Sequence, residues 1–519
     1  MSDLLRMTGM YSGIDTESIV SQLVQAKSQK VTTLKNEQTK LEWKQEVWQD
    51  LNKKIYSLYS STLSDLRLTG SYKKKSTTSS DTTKATVVAS ASAVNGTQTL
   101  KVNKLAKAGY LTGAELPQKT AKVNNDGGTE VTKQVDWTNS DKLSEMDSTM
   151  VGKKLTISVG TGDEKKETEI EITSEMTIGD FVGKLKEAGV NASFDEDNQR
   201  FFISATGTGL EKEFELSAED DSVLKSLGID ANATYDNGSA CTRIAAQDAE
   251  IELNGATFTS DSNTFTVNGL TINAVGVTTE EISIVTSTDY DGIYDTIKDF
   301  ISEYNEIINE VAKKYSADSA RKYDVLSDEE KEAMTDDQIE KWENTIKDSL
   351  LRRDNTLYKI MDTLKSSMSD GIEVNGETKY LFNYGIETLG YFEAEEDERN
   401  AYHIAGDKDD DKTADKEDKL RTAIAEDPEG TAEFFASLCR RMYDNLDTMM
   451  KSTDYSSMYK VYDDKKMKEE YDDYTKKIAE AEKKLNAYED KWYEKFSAME
   501  VALSKLQSNQ SAVSSMLGM

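Results

Sequence analysis

Length, composition and charge restrict what this chain can be. Its 519 residues exceed what one hydrophobic core usually organises, so about two to four domains are expected, and 37% apolar against 31% charged residues predict an elongated or multi-lobed molecule. The 96 acidic and 63 basic residues leave a formal charge of −33, which repels phosphates and anionic lipid headgroups and excludes nucleic acid and the membrane surface as expected partners.

The first predicted element is a long amphipathic helix that begins after Gly13. Asp15 or Thr16 can cap its first backbone amides, and no basic stretch followed by an apolar run precedes it, so no Sec signal peptide is expected. Apolar residues recur at helical spacing as far as Leu66, with a seven-residue repeat at Leu34, Leu41, Trp48 and Ile55. Such a repeat predicts pairing with another helix.

The central region, from about Thr77 to Thr288, changes to Thr, Ser, Gly, Asn and Val and predicts β structure. Alternating patterns place strands at 85–89, 99–102, 154–159, 169–172, 200–203, 250–253 and 264–267. Asn254-Gly255 and Asn268-Gly269 predict tight hairpin turns, and one short helix is expected at Thr177–Ala188. We expect two β-rich lobes, one inserted in the other.

Helical patterns resume after Thr288 and continue to the C-terminal region. Two capping-box sequences, Ser327 with Glu330 and Thr335 with Gln338, predict helix starts. The strongest repeat follows, with apolar residues seven apart through six heptads at Ile478, Leu485, Trp492, Met499, Leu506 and Val513. Each terminal helix is expected to have roughly 50 residues, about 75 Å at 1.5 Å per residue.

The two terminal helices are predicted to pair within one protomer through their charged inner portions. The pairing residues expected are Leu34, Leu41, Trp48, Ile55, Ile478, Leu485, Trp492 and Met499. The outer parts, Met1–Gly13 and Leu506–Met519, fit that pairing less well, because no residue from Leu506 onward is charged. We therefore expect contacts with other subunits or partners at Leu506, Val513, Met516 and Leu517.

The fold class expected is α+β, with coiled-coil legs and a helical stalk carrying two β-rich head lobes. Four domains follow from this division. They are a terminal leg domain (1–40 and 490–519), a helical stalk (41–76 and 289–489), a β-rich head (77–140 and 240–288) and an inserted second β-rich head (141–239).

Catalytic and metal-binding motifs are weak. His403, the single histidine, has no motif around it and is interpreted as structural. Asp407, Asp409 and Asp411 resemble the opening of a calcium loop, but Lys412 stands where the turn requires glycine, which favours a solvated loop. Cys241 and Cys439 lack any metal-ligand or disulfide spacing. No catalytic, cofactor-binding or metal residue is predicted, and an enzyme is not expected.

Several ordered segments resemble one family, the filament-capping proteins of bacterial flagella (hook-associated protein 2). Residues 12–20, SGIDTESIV, are similar to the opening motif of that family. Residues 94–106 resemble its first head strands, and residues 246–255, AQDAEIELNG, followed by 262–264 and 268–270 reproduce an order typical of it. Residues 341–354 and 488–500 resemble its leg region and C-terminal helix.

The resemblance implies a protein exported unfolded by the flagellar type III system, without a cleaved signal peptide, to the extracellular tip of the flagellum. There it would form a ring-shaped homo-oligomer, a pentamer, that retains flagellin and promotes its folding and insertion. The implied partners are further copies of itself, flagellin, the hook–filament junction protein and an export chaperone.

Two alternative functions remain open from the sequence. Another flagellar axial protein, either flagellin or a junction protein, would also have paired helical termini. A surface adhesin binding host mucin or glycans would need clustered exposed aromatic residues, and the β region offers the scattered Trp137, Phe201, Phe202 and Tyr235.

Overall fold

The computed structural model describes residues 12–124, 130–162, 165–390, 392–396 and 398–516, with side chains as far as residue 513 at the C-terminal end. The chain forms two compact units. One contains the chain up to Tyr72 and from Tyr290 onward, and the other is Lys73–Asp289. The second unit is thus inserted between two segments of the first.

The first unit opens with helix α1 (Thr16–Ser57). Its start confirms the prediction, because the Asp15 side chain accepts a 3.0 Å hydrogen bond from the backbone N–H of Ser18 and so caps the helix. A π-helical segment (Leu58–Leu63) and the short α2 (Ser64–Leu66) follow without a break.

The second unit contains most of the strands. In chain order its elements are β1 (Lys75–Ser79), β2 (Ala85–Ala89), β3 (Gly96–Lys104), β4 (Tyr110–Thr112), β5 (Lys119–Asn124), β6 (Glu130–Val135), α3 (Leu143–Met146), β7 (Lys154–Val159), β8 (Lys166–Glu171), α4 (Ile178–Glu187), β9 (Val190–Asp195), β10 (Arg200–Ala205), β11 (Phe214–Ala218), α5 (Ser222–Ser226), β12 (Thr242–Ile244), β13 (Ala249–Leu253), β14 (Ala256–Ser260), β15 (Thr264–Val267), β16 (Leu270–Ala274) and β17 (Ile282–Thr288).

The first and last of these strands build an outer β lobe. Its sheets have the orders β1-β17-β3-β13-β14 and β15-β16-β2, and they enclose a core that includes Leu100, Ile251 and Ile272. Both predicted Asn-Gly turns close hairpins here. Asn254 and Asn268 have φ of 50° and 48°, and the glycine after each also has positive φ, the pair of left-handed residues that such turns require.

The intervening strands form an inserted β lobe with its own core. The sheets are β12-β4-β10-β9, β11-β7-β8 and the hairpin β5-β6, and the core residues extend from Leu111 to Cys241. Helix α4 confirms the one predicted helix, with Thr177 and Asp180 forming a reciprocal capping box. Two β-rich lobes, one inserted in the other in chain order, are therefore present.

Helices dominate again after residue 290. The elements are α6 (Tyr290–Ser316), α7 (Asp328–Glu332), α8 (Asp336–Ser349), α9 (Asn355–Ser369), β18 (Ile372–Val374), β19 (Glu377–Lys379), β20 (Ile386–Thr388), β21 (Tyr402–Ile404), α10 (Lys419–Glu426), α11 (Pro428–Met449) and α12 (Asp464–Met516). Both predicted capping boxes are formed, at the starts of α7 and α8.

The largest hydrophobic core lies in this unit. Trp48, Leu51 and Ile55 of α1 pack in it with one face of α6 and with Phe434 and Phe435 of α11. The fold is α+β, with long N- and C-terminal helices and β-rich lobes. Among the described residues, no helix has both the length and the apolar content to span a membrane.

Candidate assembly surface on the paired terminal helices

Helices α1 and α12 pair antiparallel. Their contacts run in opposite directions along the two sequences. Gln38 Nε2 donates to Thr475 Oγ1 at 2.7 Å, and Lys35 Nζ lies 2.7 Å from Glu482 Oε1. Earlier in the chain, Lys27 Nζ lies 5.7 Å from the centre of the Tyr488 ring, and Ser12 donates to Glu500. The first 25 or so residues of α1 therefore lie beside the middle of α12.

A buried amide anchors the base of this pair. Asn52 is 4% exposed, and its side chain donates to the carbonyl of Tyr459 at 3.3 Å and accepts from the backbone N–H of Val461 at 2.9 Å. Beside it the rings of Trp48 and Tyr462 stack 5.5 Å apart. The segment that leads into α12 is thus bound to α1 by both polar and aromatic contacts.

The eight predicted pairing residues are not equally covered. Trp48, Ile55 and Ile478 are buried, whereas Leu34, Leu41, Leu485, Trp492 and Met499 are half-buried. Burial is deepest where α1 enters the many-helix core and falls along the two-helix section. We propose that all eight form the pairing seam, because a two-helix contact can cover only one side of each side chain.

Trp43 is a buried residue of α1 that the seven-residue repeat misses. It is 9% exposed, and Lys347 Nζ of α8 lies 5.2 Å from its ring centre. The repeat could not reveal it, because Trp43 faces α8 and not α12. Its size was the only available signal, since exposed tryptophan is uncommon.

Glu500 marks the far end of the pairing. It is 1% exposed, the only carboxylate among the described residues to be so completely buried. One of its oxygens accepts from the backbone N–H of Ser12 at 3.3 Å, and the other accepts from the Ser12 hydroxyl. A buried carboxylate is costly unless hydrogen-bonded, so this contact fixes the chain just before α1 to α12.

Replacing Glu500 with alanine is expected to release the start of α1. Hydrogen bonds to a charged group contribute about 1.5–3 kcal/mol, so amide exchange at residues 14–24 should accelerate about tenfold or more. Glu494→Ala, an exposed position on the same helix, is the control and should leave exchange unchanged. Equal exchange rates in the two variants would remove the role given to Glu500.

Beyond Glu500 the helix continues without a described partner from α1. Val501, Leu506 and Val513 are 45%, 64% and 54% exposed. We call residues 501–516 the overhang; at 1.5 Å per residue it is about 24 Å long. Of the predicted contact residues, Leu506 and Val513 lie exposed on it, whereas the side chain of Met516 and the whole of Leu517 lie outside the described residues.

A lysine side chain lies between carboxylates of the acidic loop that follows β21. Lys298 Nζ of α6 lies 2.8 Å from Asp407 and 2.5 Å from Asp409, the first and third positions of the calcium-like sequence. Although burial opposes the charged form, both carboxylates raise the pKa of Lys298, and Lys298 in turn lowers the pKa of Asp409. Among the described residues no group of three side chains could hold a metal ion.

His403 also belongs to this loop structure. Its Nδ1 lies 2.6 Å from Asp410, and partial burial of Asp410 is outweighed by hydrogen bonds, first from His403, that lower the pKa of the carboxyl group. Asn305 of α6 holds the strand from the other side, since its side chain donates to the carbonyl of Tyr402 and accepts from the N–H of the same residue. The histidine thus links strand β21 to the acidic loop.

Replacing Lys298 with methionine is expected to loosen the acidic loop. The variant keeps the aliphatic stem but leaves Asp407, 12% exposed, without its cation, which should cost about 1–2 kcal/mol locally. Faster amide exchange at residues 407–413 measures this effect. Lys313→Met, an exposed position on the same helix, should have no effect; similar exchange in both variants would contradict the account.

The aromatic residues considered for glycan binding do not form an exposed cluster. Trp137 and Phe201 are 6% and 0% exposed in the core of the inserted lobe. Trp137 Nε1 donates to the carbonyl of Pro117 at 2.8 Å. Phe202 and Tyr235 are half-buried, and the Tyr235 hydroxyl bonds to the backbone of Asp230. These rings stabilise the lobe and do not present a stacking surface.

Curated relatives align with most of this chain. Curated proteins named flagellar hook-associated protein 2 are similar to this chain: that of Halalkalibacterium halodurans is 24% identical over 448 residues (82% of this chain, 78% of the relative), and that of Escherichia coli K12 is 27% identical over 390 residues (73% of each). The Thermotoga maritima relative is 26% identical over 357 residues, which cover 67% of this chain and 53% of the relative.

A solved structure and two family profiles also align with this chain. A crystal structure of three domains of the flagellar cap protein FliD from Escherichia coli aligns with 78% of this chain and 97% of its own, at 20% identity and a TM-score of 0.48. The profile "Flagellar hook-associated protein 2 N-terminus" matches residues 12–109, and "Flagellar hook-associated protein 2 C-terminus" matches residues 246–508. Because the C-terminal profile alone spans just over half of the chain, the chain belongs to the flagellar hook-associated protein 2 family.

Proposed function

We propose that this chain caps the distal tip of the bacterial flagellar filament. In this role a ring of identical copies, a pentamer, retains exported flagellin at the tip, promotes its folding and insertion, and so drives elongation. The observation that carries the proposal is the pair of terminal helices that ends in an exposed overhang, uncharged from Leu506 onward, in a chain whose family is that of the flagellar caps.

The overhang supplies the contacts that assembly requires. Leu506 and Val513 expose large apolar side chains to solvent, although the chain carries a net charge of −33. Exposed apolar side chains on one helix face are typical of a surface that another protein covers. We propose that Leu506, Val513, Met516 and Leu517 contact neighbouring copies, and that flagellin, the hook–filament junction protein and an export chaperone are further partners.

The proposed work is mechanical and needs no catalyst. The one histidine links strand β21 to the acidic loop, and Cys241 and Cys439 are buried. Export to the filament tip through the flagellar type III system is part of the proposal, because a cap must reach the place where subunits arrive. A glycan-binding adhesin is not favoured, since Trp137 and Phe201 lie in a core.

Deletion of the gene tests the proposal. Cells without the cap should stop elongating filaments and release flagellin monomer into the medium, and the full-length chain supplied in trans should restore filaments. Normal filaments and no free flagellin in the deletion strain would overturn the proposal. A variant of the exposed Lys133 on β6, Lys133→Ala, should complement as well as the unaltered chain.

A further inference from the structure

The overhang carries an apolar seam that its own α1 does not cover in the described part of the chain. The seam has two rows: the exposed Leu506 and Val513 continue the seven-residue spacing from Met499, and the half-buried Leu503 and the exposed Gln510 form the second row. In heptad terms these rows are the d and a positions of a coiled coil. Among the described residues, the last hydrogen bonds between α12 and the N-terminal segment are those of Glu500 with Ser12, just before α1, yet the heptad pattern continues.

From these observations we infer that the overhangs of neighbouring copies associate as a parallel, in-register helix bundle. The partner of residues 501–516 is the same segment of a second copy. This inference rests on the proposed function, since it uses the ring of identical copies, and it adds which segment meets which and in what register.

The charge pattern supports this partner over an unrelated one. In a ring with rotational symmetry, the same residue lies at the same height in every copy, so a charged side chain at the seam would face its own like charge. The overhang carries no charge from Leu506 onward, and its one charged residue, Lys505, takes the outward c position. The antiparallel α1–α12 section, where unlike residues meet, does contain ion pairs such as Lys35 with Glu482.

The burial of Glu500 agrees with a helix α12 that pairs within its own copy up to residue 500 and with neighbouring copies beyond it. The last carboxylate before the overhang is turned toward Ser12 of its own copy and is 1% exposed, so it offers no charge to a neighbour. Apart from Lys505, the sequence beyond it offers only amides, hydroxyls and apolar groups. Apolar side chains with few charges are what the buried centre of a protein interface contains.

Gln510 is assigned the role of setting register. It occupies the a position seven residues after Leu503, between the d positions Leu506 and Val513, and it is exposed in the single chain. A single polar residue at such a position fixes register and oligomer state at a cost in stability, because its amide needs a partner amide at the same height. We therefore expect Gln510→Leu to give tighter oligomers of mixed size.

Cysteine cross-linking of the full-length chain tests the inference. The native thiols do not interfere, because burial raises the pKa of Cys241 to about 11 and of Cys439 to about 12. Leu506→Cys places a thiol on the seam, and Ser508→Cys, two residues away, places one on the outward f position as the matched control. Mild oxidation should link most of the Leu506→Cys chains into covalent dimers and at least tenfold fewer of the Ser508→Cys chains.

The outcomes separate this inference from the proposed function. Equal cross-linking at both positions, or none at either, overturns the parallel bundle even if deletion of the gene still abolishes filaments. Seam-specific cross-linking together with normal filaments in the deletion strain supports the bundle and removes the capping role. Leu506→Cys chains that remain monomeric yet restore filaments would instead point to flagellin, or to the same copy, as the cover of the seam.

Discussion

Trp48→Ala is expected to lower the free energy of unfolding of the helical unit by about 3–5 kcal/mol, the usual cost of removing a large aromatic side chain from a core. Trp48 is 2% exposed, packs among α1, α6 and α11, and stacks on Tyr462 of the segment that leads into α12. The variant therefore loses core packing and the aromatic anchor of the helix pair together.

Trp492→Ala is the matched control for that measurement. Trp492 is a half-buried tryptophan on α12 whose ring contacts are with Tyr488 and Phe496 of the same helix. Its replacement should cost less than half as much in urea unfolding followed by helical circular dichroism. Equal losses of unfolding free energy in the two variants would show that the many-helix core stabilises α1 no more than pairing with α12 does.

A chain that ends at Glu500 is expected to fold but not to assemble. The overhang is exposed, so its removal should leave the urea midpoint of the helical unit unchanged within error. Higher oligomers should disappear in mass photometry, and complementation of the deletion strain should fall to the level of the empty vector, because the proposed contact surface between copies is removed.

The control for the truncation keeps the helix and its seam. The double variant Ser508→Ala, Ser511→Ala changes only outward positions of the overhang and should assemble and complement normally. If the truncated chain still forms the same oligomers, the copies must meet elsewhere, and the role given to Leu506 and Val513 would be wrong.

The sequence predicted the elements of this fold well wherever a local signal, such as a turn or a helix cap, determined the structure. The Asn-Gly turns, the capping boxes at Ser327 and Thr335 and the helix after Thr177 all depend on residues within a few positions of each other, and all are present. The helical pattern expected after Thr288 likewise corresponds to α6, whose buried residues recur at helical spacing.

Contacts between distant residues were beyond the sequence. No residue near Asp407 indicates that this carboxylate would pair with Lys298, 109 positions earlier, and not with a metal ion. Glu500 likewise has no local feature that marks it as buried. Trp43 was missed because its partner is α8. Each of these depends on which elements the tertiary fold brings together, and that information is spread over the whole chain.

Microscopy of labelled protein on growing cells tests the central claim most directly. Lys133→Cys, exposed on β6, would carry a fluorophore, while the buried native thiols remain unlabelled. The account predicts one fluorescent focus at the distal tip of each filament, which stays at the tip as the filament lengthens. Label along the filament, or at its base near the cell body, would contradict the claim that this chain is the cap.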